Sequence, residues 1–136
     1  MRTIRFFVPA ALYYGLIYFL SDQPQIRIPL AFPLQDKIFH FAIYAGFGVC
    51  LLFGLARIDR LGARRRLGTL VILGAIAAGL DEFHQAFVPG RTSDFADAAV
   101  DVLGILAAWL IVRVLIRLPA GRRWFAAPTE SARRLS

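Results

Sequence analysis

Ionisable side chains are concentrated in one stretch of the chain, DEFHQAFVPGRTSDFADAAVD, at residues 81–101. It carries five carboxylates, one histidine and one arginine, residue types suited to acid–base chemistry and to binding charged ligands. A smaller group lies upstream in DKIFHFAIY and contains Asp36, Lys37 and His40. Both groups are flanked by long apolar runs, so the elements that position these charges are not those of an ordinary soluble domain.

Four apolar blocks account for most of the chain. The sequence has 136 residues, of which 58% are hydrophobic, and the blocks cover residues 4–20, 38–56, 67–87 and 95–118. Each block is close to the ~20 residues that a helix needs to cross ~30 Å of hydrocarbon. We therefore predict a single domain over residues 1–136, an all-α integral membrane bundle of about four transmembrane helices.

The net charge of +7 indicates topology rather than nucleic-acid binding. Thirteen of the 16 basic residues lie at the N-terminus, in the loop RIDRLGARRR and in the last segment, which four spans place on one side. Seven of the nine acidic residues lie on the other side. The positive-inside rule thus predicts cytoplasmic termini and places both charged groups at the extracytoplasmic surface.

The remaining segments carry little chemistry. The first block resembles a signal peptide, but YFLSDQPQ lacks a small-x-small cleavage pattern, so we predict an uncleaved helix. The single cysteine, Cys50, forms no intrachain disulfide. Pro9 should kink the first helix or lie in its first turns. The loop at 21–35 is apolar enough to lie in the membrane interface, and the tail at 122–136 is predicted to be interfacial or frayed.

Helix length places the charged groups inside the membrane. The uncharged run of the third block, residues 67–80, has 14 residues and spans roughly 21 Å, short of the ~30 Å core. Its helix must therefore include Asp81 and Glu82. The fourth block needs Asp101 and the second needs His40 for the same reason, so three helices bring ionisable groups to a similar depth.

Residue spacing then groups these side chains by helix face. The stripes are Asp36, His40, Tyr44 and Gly48; Asp81 and Gln85, with His84 alongside; and Asp94, Asp97 and Asp101. Ionisable groups within a membrane face the bundle interior or a wet cavity. We expect one outward-facing polar pocket lined by the second, third and fourth helices, with Arg91 over its mouth after the Pro89–Gly90 turn.

Structural roles compete with functional ones at several positions. Asp94 or Ser93 is well placed to cap the fourth helix. Asp97 fits equally a first-turn dipole partner or a pocket ligand. Asp101 lies too far along the helix to be a cap and needs a buried partner, for which Arg91, Lys37 and His40 are the alternatives.

The residue pattern favours acid–base chemistry over metal or nucleophilic chemistry. No H-E-x-x-H or comparable spacing is present, so we expect neither a metal nor a cofactor. No serine or cysteine nucleophile stands out. A histidine beside a buried carboxylate titrates near neutral pH, and the catalytic candidates are therefore His40, Asp81 and Asp101.

The chain resembles the VanZ-like family of small bacterial membrane proteins. The resemblance rests on DKIFHFAIYAGFG at residues 36–48 and DEFHQAFVPGRTSDFADAAVDVLG at residues 81–104, and with the intervening spans it covers roughly residues 35–108. It carries over the positions Asp36, Lys37, His40, Tyr44, Asp81, Glu82, Gln85, Arg91 and Asp97, with Gly104 as a helix-packing position. The chain departs from the family pattern at Asp101, where Asn is common, and at Ala108, where Gly is common.

The resemblance implies a cellular location for the protein more than a specific reaction. The family name comes from an accessory protein of teicoplanin resistance, which implies a multi-pass protein of the bacterial cytoplasmic membrane and a link to glycopeptide resistance. The partners expected on this basis are membrane lipids, with a lipid-linked cell-wall precursor as one candidate; the oligomeric state stays open.

Four functional hypotheses follow. The first is an envelope protein whose pocket binds a lipid or wall-precursor headgroup, with Lys37 and Arg91 on its anionic groups and Asp81, Glu82 and Gln85 on hydroxyls or an amine. The second is a membrane-embedded enzyme that uses His40 with Asp101 or Asp81. The third, ion translocation, is disfavoured by the apolar lower halves of the helices. In the fourth, the polar residues only lock the helices together.

Overall fold

The described part of the chain is helical. A computed structural model describes residues 4–23, 34–58, 61–91 and 93–125. These ranges contain five α-helices, α1 (Val8–Ser21), α2 (Gln35–Leu55), α3 (Ala63–Gln85), α4 (Phe95–Leu115) and α5 (Pro119–Phe125), and a 3-10 turn, Ile4–Phe7, before α1. Since they contain no strand, the all-α prediction is confirmed.

Four segments are long and apolar enough to span a membrane, namely Ile4–Ser21, Gln35–Leu55, Ala63–Gln85 and Phe95–Leu115. Large apolar side chains cover the outside of the bundle, as at Leu12, Phe19, Ile72, Phe83 and Leu110, each of which is at least half exposed. Lipid tails accept such a surface, and each helix satisfies its own backbone hydrogen bonds. The chain is a multi-pass membrane protein with the predicted number of spans.

The helix ends differ from the apolar blocks. α2 begins at Gln35 rather than at residue 38, and α3 begins at Ala63 rather than at 67. Charged residues occupy the first turns of both helices, because a helix continues into the headgroup region after its apolar run stops. α3 ends at Gln85, two residues before its predicted end.

Two prolines mark helix starts. Pro9 lies in the first turn of α1, one of its two predicted positions, where its missing N–H costs no intrahelical bond. The helix of the last block ends at Leu115, three residues before its predicted end at 118, and α5 starts at Pro119, just after the block. Parts of the predicted loop and tail, residues 24–33 and 126–136, lie outside the described residues.

Close packing of α2 against α4 forms the centre of the bundle, while α3 packs on α4, and α1 packs on α2 and α3. Gly104 permits this packing, since a Cβ there would lie 2.5 Å from the Phe41 carbonyl oxygen and 3.0 Å from the Ala45 nitrogen. Gly48 faces Ala108 across the same interface. Small residues thus bring the two backbones together, as expected for membrane helices, and the packing role predicted for Gly104 is confirmed.

The bundle has two chemically different ends. We call the end formed by the last turns of α1 and α3 and the first turns of α2 and α4 the polar end. At the opposite end, the basic end, Arg57 lies over the ring of Phe6 and donates to the carbonyl oxygens of Arg123 and Trp124. Both charged groups of the sequence lie at the polar end.

Candidate functional site

An ion pair joins the first turns of α2 and α4. Lys37 Nζ lies 2.6 Å from Asp97 Oδ1 and 3.4 Å from Asp94 Oδ2. Asp94 also caps α4 by accepting a 2.8 Å hydrogen bond from the Ala96 backbone N–H, as predicted. The hydrogen bond from the Ala96 N–H, together with the nearby charge of Lys37, holds the pKa of Asp94 below its ordinary value.

A second pair lies one turn deeper. His40 Nδ1 is 3.0 Å from Asp101 Oδ1, and Asp101 is completely buried. Of the three partners expected for Asp101, the structure therefore selects His40. Tyr44 follows on the same face of α2 and is also buried, and its hydroxyl has no hydrogen-bond partner within the described residues.

A hydrogen-bond network joins α1 to α3. Ser21 donates to Asp81 Oδ1, and Gln85 Nε2 donates to Ser21 Oγ at 3.2 Å and to Asp81 Oδ2 at 3.1 Å. All three side chains are buried. Ser21 was not among the site residues predicted from the sequence. Its position directly after the first apolar block, at the level of the charged groups, was a usable signal.

The turn between α3 and α4 is held by Glu82 and Arg91. Glu82 Oε2 accepts from Ser93 Oγ at 3.2 Å and from the Asp94 backbone N–H at 2.9 Å. Arg91 donates to the carbonyl oxygens of Leu20 and Gln23 at 2.9 and 3.2 Å, and so ties the turn to the end of α1. Ser93, considered as a possible cap, instead contacts Glu82.

The remaining histidine forms a separate pair at the surface. His84 Nε2 lies 3.2 Å from Asp22 Oδ1, and its ring stacks on Tyr18 at a centroid distance of 4.2 Å. His84 is thus removed from the His40–Asp101 pair.

A cavity of about 170 Å³ lies at the polar end. Its polar lining is Ser21, Asp36, His40, Tyr44, Asp81, Gln85 and Arg91, and its apolar lining is Ile17, Leu20, Phe39 and Ile43. The sequence predicted a pocket lined by the second, third and fourth helices. This prediction needs a correction, because α1 rather than α4 lines the cavity together with α2 and α3. Asp97 and Asp101 are not in this lining; they pair with Lys37 and His40 of α2.

Comparison with known families agrees with this arrangement. A protein-family model described as VanZ/LLP1 matches residues 5–117, an interval that includes nearly all of the four spans and the whole polar end. The chain belongs to the VanZ/LLP1 family. No curated protein and no solved structure matches it.

The polar end of this VanZ/LLP1 chain also brings possible metal ligands together. His40, Glu82 and Asp101 each offer one donor atom, and these atoms lie within 4.8 Å of one another. Asp36, His40 and Asp97 form a second such group, whose Asp36 is exposed. His40 belongs to both groups and also lines the cavity.

Proposed function

We propose that this VanZ/LLP1 protein binds the headgroup of an envelope lipid in the cavity at its polar end. The observation that carries the proposal is the lining of the cavity, which combines an arginine, two aspartates and an apolar wall. A lipid headgroup at the membrane surface has the same three parts, an anionic phosphate, hydroxyl or amine donors, and the start of its acyl chains.

Each part of the headgroup has a matching side chain. Arg91 donates two of its five guanidinium N–H groups to the carbonyl oxygens of Leu20 and Gln23, and the others suit a phosphate oxygen. Asp36 lies exposed at the start of α2, and Asp81 is bound by the neutral donors of Ser21 and Gln85, so both suit an amine or a hydroxyl. Lys37 is taken up by Asp94 and Asp97, which makes it a weaker candidate for the ligand than the sequence suggested.

The ligand chemistry is therefore a phosphate ester that carries an amine or hydroxyls. Phospholipids and lipid-linked wall precursors share this chemistry, and a precursor site would also agree with the family's link to teicoplanin resistance. The positive-inside rule supports a position of the polar end outside the cytoplasm, where both kinds of headgroup occur.

Native mass spectrometry of gently purified protein tests the proposal. We expect one retained lipid in the wild type and its loss in Asp81→Asn and Arg91→Ala, while Asp22→Asn and Arg64→Ala, matched changes at exposed positions, keep it. The mass of the lipid distinguishes a phospholipid from a wall precursor. Retention by both cavity variants would contradict the proposal.

A second candidate, a membrane-embedded acid–base enzyme, is favoured by one observation. His40 lines the cavity while Asp101 holds its Nδ1, an arrangement that orients an imidazole for proton transfer through Nε2. Turnover of an envelope lipid that disappears in folded His40→Ala would establish this activity. Ion translocation finds less support, because the buried core below this level is apolar, with Leu52, Leu70 and Ile105.

A further inference from the structure

Three helices bring one histidine and two carboxylates to a common point at the polar end. The donor atoms of His40 in α2, Glu82 in α3 and Asp101 in α4 lie within 4.8 Å of one another. Ligands at about 2.1 Å from one ion lie roughly 3 to 4 Å apart, so small side-chain rotations bring these atoms into coordination distance.

The free oxygens of the two carboxylates are a separate observation. Asp101 is 0% exposed and Glu82 is 6% exposed. One oxygen of each is engaged, Oδ1 of Asp101 by His40 and Oε2 of Glu82 by the α3–α4 turn. Asp101 Oδ2 and Glu82 Oε1 are buried and have no hydrogen-bond partner within the described residues. Burying such oxygens without a partner is costly, so a ligand for them is expected.

Charge balance points to a cation. Asp81, Glu82, Asp97 and Asp101 are buried, whereas the basic groups in contact with this set in the described residues are Lys37, on Asp97, and His40, on Asp101. Within the described residues, Asp81 and Glu82 accept hydrogen bonds from neutral donors. A divalent cation offsets the excess of buried negative charge, which is expensive within a membrane.

We propose that His40, Glu82 and Asp101 bind one divalent transition-metal ion. Imidazole ligands suit zinc and carboxylates suit manganese, so the mixed set favours Mn²⁺ or Zn²⁺ over Ca²⁺ and Mg²⁺. His40 would coordinate the ion through Nδ1, the nitrogen that faces Asp101. Sequence spacing led us to expect no metal, and the proposed site departs from that expectation. The site is independent of the headgroup proposal because it requires no lipid.

Titration of metal-stripped protein in detergent with Mn²⁺, with free Mn²⁺ followed by electron paramagnetic resonance, tests the site. We expect one Mn²⁺ per wild-type chain and competition by Zn²⁺. Binding should be at least about tenfold weaker in Asp101→Asn and Glu82→Gln. Asp22→Asn changes a carboxylate of the surface histidine–aspartate pair and should bind as the wild type does.

Spectroscopy of the loaded wild-type protein provides a test that does not depend on how the carboxylate variants fold. In the Mn²⁺-loaded protein, pulsed paramagnetic resonance should detect a ¹⁴N coupling from the His40 imidazole, and His84→Ala should retain it. The proposal is overturned if the wild type has no saturable site for Mn²⁺ or Zn²⁺, if the loaded protein shows no ¹⁴N coupling, or if Asp101→Asn binds as tightly as the wild type.

Discussion

The His40–Asp101 contact shows how one buried pair depends on both partners. Asp101→Ala leaves His40 without its partner inside the bundle, and we expect a loss of about 3 kcal/mol, as for other broken buried pairs. Asp101→Asn keeps an oxygen that accepts from His40 and should cost less. It also introduces the residue that is common at this position in the family pattern.

Thermal unfolding in detergent measures this difference, with a thiol-reactive dye that reports exposure of the half-buried Cys50. The expected order of unfolding temperatures is wild type, then Asp101→Asn, then Asp101→Ala. Equal temperatures for wild type and Asp101→Ala would show that the pair contributes nothing to stability.

The sequence predicted which residues share a helix face but not which faces meet. The stripe of Asp94, Asp97 and Asp101 follows from helical spacing, whereas the partner of Asp101 stayed open among three residues. The register between α2 and α4 decides it. Because Gly104 packs against the backbone at Phe41, Asp101, one turn earlier, reaches His40. Such a register depends on close backbone contact, which spacing along one helix does not contain.

At the scale of the helices, Gly104 is the sharpest test of the α2–α4 interface. Gly104→Ala places a Cβ 2.5 Å from the Phe41 carbonyl oxygen, and overpacking of this kind costs about 1–3 kcal/mol. Gly79→Ala is the matched control in α3, because a Cβ there meets nothing within 4 Å. The dye assay should show a lower unfolding temperature for Gly104→Ala only, and equal effects of the two changes would contradict the interface.

Sequence reasoning did not predict that α1 takes part in the polar end. Length and apolarity identified it as a span, but α1 contains no Asp, Glu, His, Lys or Arg, so nothing tied it to the other charged helices. In the structure, Ser21 reaches Asp81, and Tyr14 donates to the Ala77 carbonyl oxygen. Neutral hydroxyls thus dock α1 on α3, and their partners become visible only in three dimensions.

For the whole molecule, the number of spans follows from composition, and the charge distribution predicts the orientation. We expect the polar end outside the cytoplasm. In a Cys50→Ala background, Asp22→Cys should react with a membrane-impermeant maleimide in intact cells, whereas Arg64→Cys should react only after permeabilisation. The reverse pattern would place the cavity on the cytoplasmic side and remove wall precursors of the outer surface as ligands.

The central claim is that the cavity at the polar end binds a headgroup rather than only joining helices. Ile43→Trp tests it most directly, because the larger side chain fills the cavity from its apolar wall and leaves the hydrogen-bonded network in place. Leu110→Trp, on the lipid-facing surface, is the control. Native mass spectrometry should show one retained lipid in the wild type and in Leu110→Trp, and none in folded Ile43→Trp. If Ile43→Trp retains the same lipid as the wild type, the cavity is not its binding site.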